Sequence, residues 1–531
     1  MRRSRTSWRG VATAAAVGST VVALAACGSG TGSGGTTNQK PHRGGTLQVA
    51  TDADPGSLDP NINTAYASWY VTELIYGSLL RQDQSGKIVG DVAQSYTHPD
   101  ARTYTFKLRP GVKFSDGRTA TSADVKYSFD RLTDKATASP WSGIFEVIKS
   151  IDTPDASTVT FHLKRSFAPF LSYIAYPFYT PILDKQTVEK PGGLKNAAMG
   201  TGPFELVSYQ PGNQVTLKRN PNYYDKQRPY LDGIRMRVIT NDSTRLAAVR
   251  SGQVQLAWFH DPRTPKLLGA AANVKVLEAA DDRNEEGLAF NQTKAPFNNV
   301  DVRRAISEGI DRNAIIKLVL DGKGNIGSKI PGGAKPYGYS GPASGLPYNT
   351  YNPADAKKLL AKAGYGSGLT VSLNVAPLYP RDLQTAEIMR DQLGKIGVHV
   401  NIVQKDWTTT LGSFVKTSYD GMSMVGLVWQ PDPDADAHDL WDSKSPINIG
   451  HFKDAQIDRL LEDGRVAQTT ADRAKAYMAA QKRVADMAYM LFPYTSKAED
   501  QVVRDSVQGF TATDSGLHGA ALLNTWLTGA R

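Results

Sequence analysis

Three aspartates alternate with small residues at positions 432–436, which read Asp-Pro-Asp-Ala-Asp. Closely spaced carboxylates of this kind open the calcium-binding loop of an EF-hand. That loop also requires a glycine at its sixth position and a glutamate at its twelfth, where this chain has Ala437 and Ser443. The calcium-loop interpretation is therefore rejected, and the sequence predicts neither a metal site nor another cofactor.

The common signatures of catalytic sites are missing from the sequence. It contains no GxSxG nucleophile elbow, no HExxH helix and no GxxxxGK[ST] phosphate loop. Its eight histidines include no pair four residues apart, and its single cysteine excludes a CxxC zinc site. The carboxylate pairs of glycoside hydrolases come from distant positions, so the sequence leaves them open. We expect a protein without catalytic activity and keep a hydrolase as the alternative.

The single cysteine, Cys27, follows an apolar segment near the N-terminus. The first residues are basic and residues 11–26 are apolar and small, which is typical of an export signal. The sequence Leu-Ala-Ala-Cys that ends at Cys27 resembles a bacterial lipobox, whose cysteine is acylated. The residues that follow are rich in glycine, serine and threonine, as in flexible linkers. We therefore predict a signal peptide at 1–26, a lipidated cysteine with a flexible tether at 27–43, and an exported lipoprotein that is anchored by lipid in the cell membrane and faces outward.

Length and charge narrow the class of protein further. The 531 residues exceed the roughly 250–300 that one hydrophobic core supports, so at least two lobes are expected. The formal net charge is +10, and four of these charges lie in the predicted signal peptide, at Arg2, Arg3, Arg5 and Arg9. The remaining excess is mild and forms no basic stripe, which argues against nucleic-acid binding.

Apolar periodicity predicts a mixed first half. Residues 45–50 have the pattern of a short strand, and residues 67–80 have apolar side chains at helical spacing. Residues 103–108 and 157–163 alternate between apolar and polar side chains, as half-buried strands do. Between these two strands, Ser122 is predicted to cap a helix. An α+β module is therefore expected in this part of the chain.

The second half has the pattern of an α/β lobe. Within residues 301–321, four apolar side chains are predicted to face a core: Val302, Ile306, Ile310 and Leu318. A short helix is predicted from Asn352 to Gly364. A strand at 369–375, a helix at 381–396 and a strand at 397–403 form a strand–helix–strand unit, which favours a sheet flanked by helices.

Several segments, taken in order, resemble the large peptide/nickel-type (family 5) extracellular solute-binding proteins of ABC importers, the dipeptide- and oligopeptide-binding group. The resemblance extends over about residues 44–500 and depends on the ordered set rather than on any one segment. The matching segments are Gly44–Leu47, Ser57–Pro60, Tyr76–Leu80, Tyr104–Gly117, Ala123–Val125, Gly200–Phe204, Arg219–Tyr224, Phe290–Asn291, Val302–Ile306, Ile310–Arg312 and Ala356–Leu360.

The resemblance implies an α/β, two-lobed periplasmic-binding-protein-like fold of type II, with an extra α+β module inserted in the first lobe. It implies a monomer that closes around a ligand and delivers it to an ABC permease in the cytoplasmic membrane. The expected division is described by three sets of residues: lobe I at 44–61, 197–283 and 497–531, the inserted module at 62–196, and lobe II at 284–496.

The resemblance also implies ligand-binding residues. Trp407 and Trp429 would line the cleft, and Asp432 would pair with an ammonium group of the ligand. Because the acidic cluster is shorter than in the family, Asp432 can instead match a structural Asp-Pro, which leaves Asp434 or Asp436 as the alternative anchor. Three further residues are expected near the ligand: Asn291, Trp69 and Trp258, the last at the end of a predicted strand at 252–258.

The ligand class stays open at this point. The residues before Trp429, at 421–428, contain no arginine, whereas some oligopeptide binders use one there for the ligand carboxylate. The prediction is a receptor for a small peptide or a peptide-sized solute. The alternatives are an exported, surface-anchored hydrolase and a receptor for a metal complex or a saccharide.

Overall fold

A computed structural model describes residues 40–529. The exceptions are residues 84, 270–272, 279–281, 328–342, 378–379, 417, 429–431, 446, 498–499 and 513–517. The predicted signal peptide, Cys27 and most of the tether therefore lie outside the described residues, as does Trp429.

Strands and helices alternate along the described chain. The strands are β1 Thr46–Thr51, β2 Leu80–Gln82, β3 Ile88–Gly90, β4 Ala93–Asp100, β5 Thr103–Leu108, β6 Ile148–Asp155, β7 Thr158–Leu163, β8 Phe204–Gln210, β9 Gln214–Arg219, β10 Gly233–Val238, β11 Leu256–Phe259, β12 Val274–Leu277, β13 Asp282–Phe290, β14 Gly324–Asn325, β15 Leu369–Val375, β16 Val398–Gln404, β17 Met422–Val428, β18 Met490–Lys497, β19 Asp500–Arg504, β20 Val507–Gln508 and β21 Trp526–Leu527. The helices are α1 Tyr66–Ile75, α2 Ser122–Thr133, α3 Ser142–Phe145, α4 Phe170–Ile174, α5 Lys185–Val188, α6 Asp242–Ser251, α7 Val300–Gly309, α8 Arg312–Val319, α9 Pro353–Lys362, α10 Pro380–Gly394, α11 Trp407–Val415, α12 Pro433–Trp441, α13 Ala455–Val466, α14 Thr470–Asp486 and α15 His518–Leu523.

Lobe I is built on a seven-stranded sheet in the order β12-β19-β11-β1-β10-β9-β8. Its central strand β1 pairs in parallel with β10 and β11. Leu47 and Val49, on one face of β1, are fully buried in the core of this lobe. The strand β19 returns to this sheet from near the C-terminus, so lobe I contains both ends of the described chain.

Lobe II is built on a six-stranded sheet in the order β14-β18-β13-β17-β15-β16. Strand β15 pairs in parallel with both β16 and β17, and β13 runs antiparallel to β17 and β18. One apolar core contains side chains of α7 to α10, and a second contains side chains of α12 to α14. The sheet is therefore covered by helices on both faces, as parallel strands require.

The insert is a four-stranded antiparallel sheet in the order β4-β5-β7-β6. Tyr104, Phe106 and Leu108 of β5 are buried on one face, where they join an aromatic-rich core. The alternation predicted for residues 103–108 is confirmed, because this face packs on helices while the other remains more exposed.

Most of the predicted elements are confirmed within a few residues, and four details are wrong. The first helix ends at Ile75 rather than at residue 80, and Thr121 rather than Ser122 caps α2. Residues 301–321 form two helices, because Asp311 caps a new helix at its own N-terminus. Leu318 therefore faces solvent and is 60% exposed, while the other three apolar residues are buried. The strand predicted at 252–258 begins only at residue 256, since Gly252 ends α6 in the left-handed conformation.

Candidate functional site

The carboxyl ends of three parallel strands meet at one edge of the sheet in lobe II. Strands β15, β16 and β17 end there at residues 375, 404 and 428. In open α/β sheets, ligands bind outside the carboxyl ends of the strands. Because β13 runs antiparallel to β17, its beginning lies at the same edge, with Glu285 beside Leu427 in the register. This edge is therefore where a ligand site is expected.

Three carboxylates come together on one face of this edge, and we name them the acidic group: Glu285, Asp436 and Asp439. Glu285 is 1% exposed, and both aspartates project from α12. Burial raises the pKa of Asp436 well above its usual range, and repulsion by the carboxylates of Asp439 and Glu285 adds to the shift. Burial, together with the negative charge of Asp434, raises the pKa of Asp439 to about 7. The positive charge of Arg465 opposes this shift. Among the described residues, Asp436 and Asp439 have no hydrogen-bond or ion-pair partner.

A second buried set of charged residues lies on the opposite face of the same edge. Glu286 follows Glu285, so its side chain points to the other side of the sheet. Burial and then Asp382 raise the pKa of Glu286 to about 8, while Arg381 opposes the shift. Arg381 also donates to the carbonyl of His260 at 2.8 Å, and this bond joins lobe II to the end of β11 in lobe I. The carboxylates of this second set, Glu286 and Asp382, are thus accompanied by the positive charge of Arg381.

Aromatic side chains of the insert face the acidic group. Burial raises the pKa of Tyr179 well above its usual range, and the negative charges of Asp439 and Asp436 add to this shift. The phenol of Tyr179 therefore lies near these carboxylates. Beside Tyr179, Phe178 stacks on Trp69 of α1 with ring centroids 4.2 Å apart and planes 6° apart. The indole nitrogen of Trp69 is buried and has no hydrogen-bond partner within the described part of the chain. The insert thus contributes an aromatic wall opposite the carboxylates of lobe II.

Asp432 and Asp434 are each bound by an arginine of the same lobe. Arg473 donates to both carboxylate oxygens of Asp432 at 2.6 and 2.9 Å. Arg465 donates to both oxygens of Asp434 at 2.6 and 3.0 Å. Asp432 also caps α12, with a proline at the first helical turn. Both carboxylates are therefore satisfied by the chain itself, and Asp436 is the one of the three whose charge has no such partner among the described residues.

The structure separates the remaining predicted site residues. Trp407 begins α11 directly after β16, at the edge that holds the candidate site, and is 36% exposed. Asn291 is fully buried at the opposite end of β13, where its side-chain amide donates to the carbonyl of Tyr419 at 2.6 Å. Trp258 is 1% exposed and stacks on Tyr70 inside lobe I. We therefore do not keep Asn291 and Trp258 among the ligand-contacting residues.

Sequence reasoning missed Glu285 and Asp439. Neither belongs to a recognisable motif, and about 150 residues separate them along the chain. One local signal was present: Glu285-Glu286 are two adjacent acidic residues within strand β13, just before its apolar end at Leu288–Phe290, and charged residues are rarely buried without a reason.

Comparison with known proteins places this arrangement in a family. The family model "Bacterial extracellular solute-binding proteins, family 5 Middle" matches residues 87–448. The glutathione-binding protein GsiB of Escherichia coli (strain K12) is 27% identical over 447 residues, which cover 82% of this chain and 85% of the relative.

Solved structures give the same result. The binding protein AgaA from A.tumefacien R10, in complex with agropinic acid, superposes with a TM-score of 0.80 at 29% identity and covers 92% of this chain and 99% of its own. The ABC transporter-associated periplasmic binding protein DppA from Helicobacter pylori, in complex with the peptide STSA, gives 0.79 at 27% identity with the same coverage.

The chain belongs to the bacterial extracellular solute-binding proteins of family 5. Like the relatives that it matches, it is a two-lobed solute-binding protein and not an enzyme. Among the helices of the described part of the chain, none combines the length and the apolar character that a membrane span requires.

Proposed function

We propose that the protein captures a peptide or peptide-sized solute that carries a cationic group, and delivers it to an ABC permease. The acidic group carries this proposal, because two of its three carboxylates are uncompensated among the described residues at the edge where a ligand is expected. An isolated buried carboxylate is costly, and it protonates unless a cation pairs with it. An ammonium or guanidinium group of a solute is such a cation.

The aromatic wall supports the same ligand class. Trp69 is partly buried and stacks on the buried ring of Phe178, Tyr179 lies near the carboxylates, and Trp407 lies exposed at the same edge of lobe II. Aromatic faces attract cations and also bury the apolar parts of a ligand. Two relatives bind ligands of similar size, glutathione for GsiB and the peptide STSA for DppA, which agrees with a peptide-sized solute.

Native mass spectrometry of the natively purified protein tests the proposal. We expect a discrete bound mass whose acid-released ligand is recovered intact and carries an amine or guanidine. If the purified protein is empty, a panel of cationic and matched neutral peptides is titrated by calorimetry. Binding of anionic or neutral solutes in preference to cationic ones would contradict the proposed ligand class, while the family membership would be unaffected.

The affinity for a cationic peptide is expected to rise with pH between about 6 and 8. The pKa of Asp439 is about 7, so this carboxyl group must release a proton before it can pair with a cation. Without ligand the effect on stability is opposite in sign. The pKa in the folded state lies above the unfolded value of about 4, so the free energy of unfolding falls as pH rises from about 4 to 7.

Calorimetry in two buffers of different ionisation enthalpy measures this proton release directly. The variant Asp439→Asn should bind more weakly at high pH and lose most of the pH dependence. A wild-type affinity that is constant over this range, or that falls as pH rises, would exclude Asp439 from the ligand site.

We also propose that the protein is anchored by lipid at Cys27. The lipobox-like sequence before Cys27 supports this proposal, together with the extracellular nature of the family. Replacement by alanine removes the only cysteine, so Cys27→Ala should abolish labelling with a radioactive fatty acid and release the protein from the membrane fraction. Ser29→Ala, just after the cysteine, is the control and should stay membrane-bound. Continued labelling of Cys27→Ala would refute the anchor.

The boundaries predicted from the sequence remain our proposal for the lobes. Lobe I then comprises 44–61, 197–283 and 497–531, the insert 62–196 and lobe II 284–496. The distribution of strands among the three larger sheets supports this division.

A further inference from the structure

A short segment of the insert lies directly against lobe II. We name residues 165–173 the strap; they follow β7 and include most of α4. The strap meets the end of α13 and the beginning of α12, through hydrogen bonds between residues that are 260 to 302 positions apart in the chain. This contact, which we name the strap contact, therefore joins the insert to lobe II.

The strap binds carbonyl groups at the end of α13. The last carbonyl groups of a helix have no partner within that helix. The carbonyl of Arg465 accepts from the backbone amide of Ala168 at 2.7 Å, and the carbonyl of Val466 accepts from the hydroxyl of Ser166 at 3.1 Å. The hydroxyl of Ser166 in turn accepts from the side-chain amide of Gln468 at 2.7 Å. Residues of the insert thus cap a helix of lobe II.

The inner part of the strap contact reaches two buried carboxylates. The hydroxyl of Tyr173 donates to the carboxylate of Asp434, and the hydroxyl of Ser172 donates to that of Asp432, both at 3.2 Å. These are the two aspartates of the segment 432–436 that are bound by arginines and do not belong to the acidic group. The strap therefore binds the first turn of α12, and the aspartates of the acidic group follow on the same helix.

Apolar and charged side chains complete the strap contact. The ring of Phe167 is 2% exposed and lies against the guanidinium of Arg465, with 5.5 Å between its centroid and the central carbon of that group. Ala435 of α12 is 7% exposed and belongs to the aromatic-rich core of the insert. At the exposed rim, Arg165 forms an ion pair with Glu462. The insert therefore packs on α12 and α13 as well as binding them through hydrogen bonds.

We propose that the strap is a closure latch, which holds the insert against lobe II before a solute arrives and sets how long the closed form lasts. When the two parts separate, the hydrogen bonds of the strap contact break and its polar groups must be hydrated again. The proposal rests on the proposed function and deepens it, because closure around the solute then depends on bonds that the solute does not make. A change in the strap shifts the population of the closed form and leaves the acidic group as it is.

Hydrogen exchange resolved to single amides tests the latch in the full chain, in protein that native mass spectrometry shows to be empty. The amide of Ala168 reports on the strap contact. The amide of Lys164, which donates to the carbonyl of Val147 at 2.8 Å inside the insert, is the internal reference. We expect Ala168 to be protected, and to exchange about tenfold faster in Ser166→Ala while Lys164 is unchanged. Ser157→Ala, at an exposed serine in the turn between β6 and β7, is the matched control and should leave both rates as in the wild type.

Tyr173→Phe is the second variant, because it removes only the hydroxyl that binds Asp434. It should also accelerate the exchange of the Ala168 amide about tenfold. Small-angle X-ray scattering of the same empty samples measures whether the lobes separate. We expect a larger radius of gyration in both variants than in the wild type and in Ser157→Ala.

Three results would overturn the proposal. An Ala168 amide that exchanges as fast as an unstructured one in the wild type would mean that the strap contact does not form without a solute. Equal protection of Ala168 in the wild type and both variants would mean that the strap is fixed packing and no latch. Faster exchange with an unchanged radius of gyration would mean that the strap frays while the lobes stay together. Because no solute is used, each of these results leaves the proposed ligand class intact, and an error in the ligand class leaves the latch intact.

Discussion

Replacement of Asp434 by asparagine is expected to lower the free energy of unfolding by about 3–5 kcal/mol. The carboxylate is fully buried, accepts two hydrogen bonds from Arg465 and also accepts from the hydroxyls of Tyr173 and Tyr477 at 3.2 and 3.3 Å. Burial acts to raise the pKa of Asp434, but Arg465 outweighs it and the pKa is lowered. The variant would leave the guanidinium of Arg465 buried without its counter-charge. Urea denaturation at neutral pH measures the change.

A surface ion pair provides the control for Asp434→Asn. Lys126 and Asp130 form an i,i+4 pair at 2.7 Å on α2, with both side chains about half exposed. Asp130→Asn makes the same chemical change and should cost about 0.5 kcal/mol or less. Equal losses in the two variants would mean that the buried pair contributes no more than a surface one.

The second large effect concerns Trp258. Its side chain is 1% exposed and stacks on Tyr70 with ring centroids 5.0 Å apart. Trp258→Ala removes this packing and leaves a cavity, so the free energy of unfolding should fall by about 3–5 kcal/mol. Ligand affinity, measured under conditions where the variant is folded, should change little.

Trp407→Ala is the matched comparison, because it is the same substitution at a residue that is 36% exposed. It should cost about 1 kcal/mol or less in stability and weaken ligand binding about tenfold through loss of an aromatic contact. If Trp258→Ala weakens binding and Trp407→Ala does not, the roles assigned to the two tryptophans are reversed.

Periodicity in the sequence was enough to predict the strand–helix–strand unit at 369–403, because each element has a clear apolar face. It misplaced Leu318, since one apolar pattern was continued through Asp311, where a new helix begins in a different direction. The side chain of a capping residue decides where a helix ends, and apolar spacing alone does not contain this information.

The acidic segment at 432–436 shows more clearly which features of a site cannot be predicted from the sequence. The sequence singled out its three aspartates but could not distinguish them, because their partners lie far along the chain. Arg465 and Arg473, on α13 and α14, are 31 and 41 residues away from the aspartates they bind. Only the packing of these helices on α12 decides that Asp432 and Asp434 are paired with arginines and that Asp436 has no such partner among the described residues.

The pairing of β13 with β18 has a consequence for protein engineering. In the register of these strands, Asp282 and Lys497 are direct partners, so the six-stranded sheet starts and finishes at adjacent points of the chain. Excision of residues 282–497 therefore keeps all six strands of that sheet together, and a short loop can rejoin the flanking parts of lobe I. Lobe II can therefore be exchanged between relatives as one contiguous segment, which would transfer the acidic group without changing the tether or the insert.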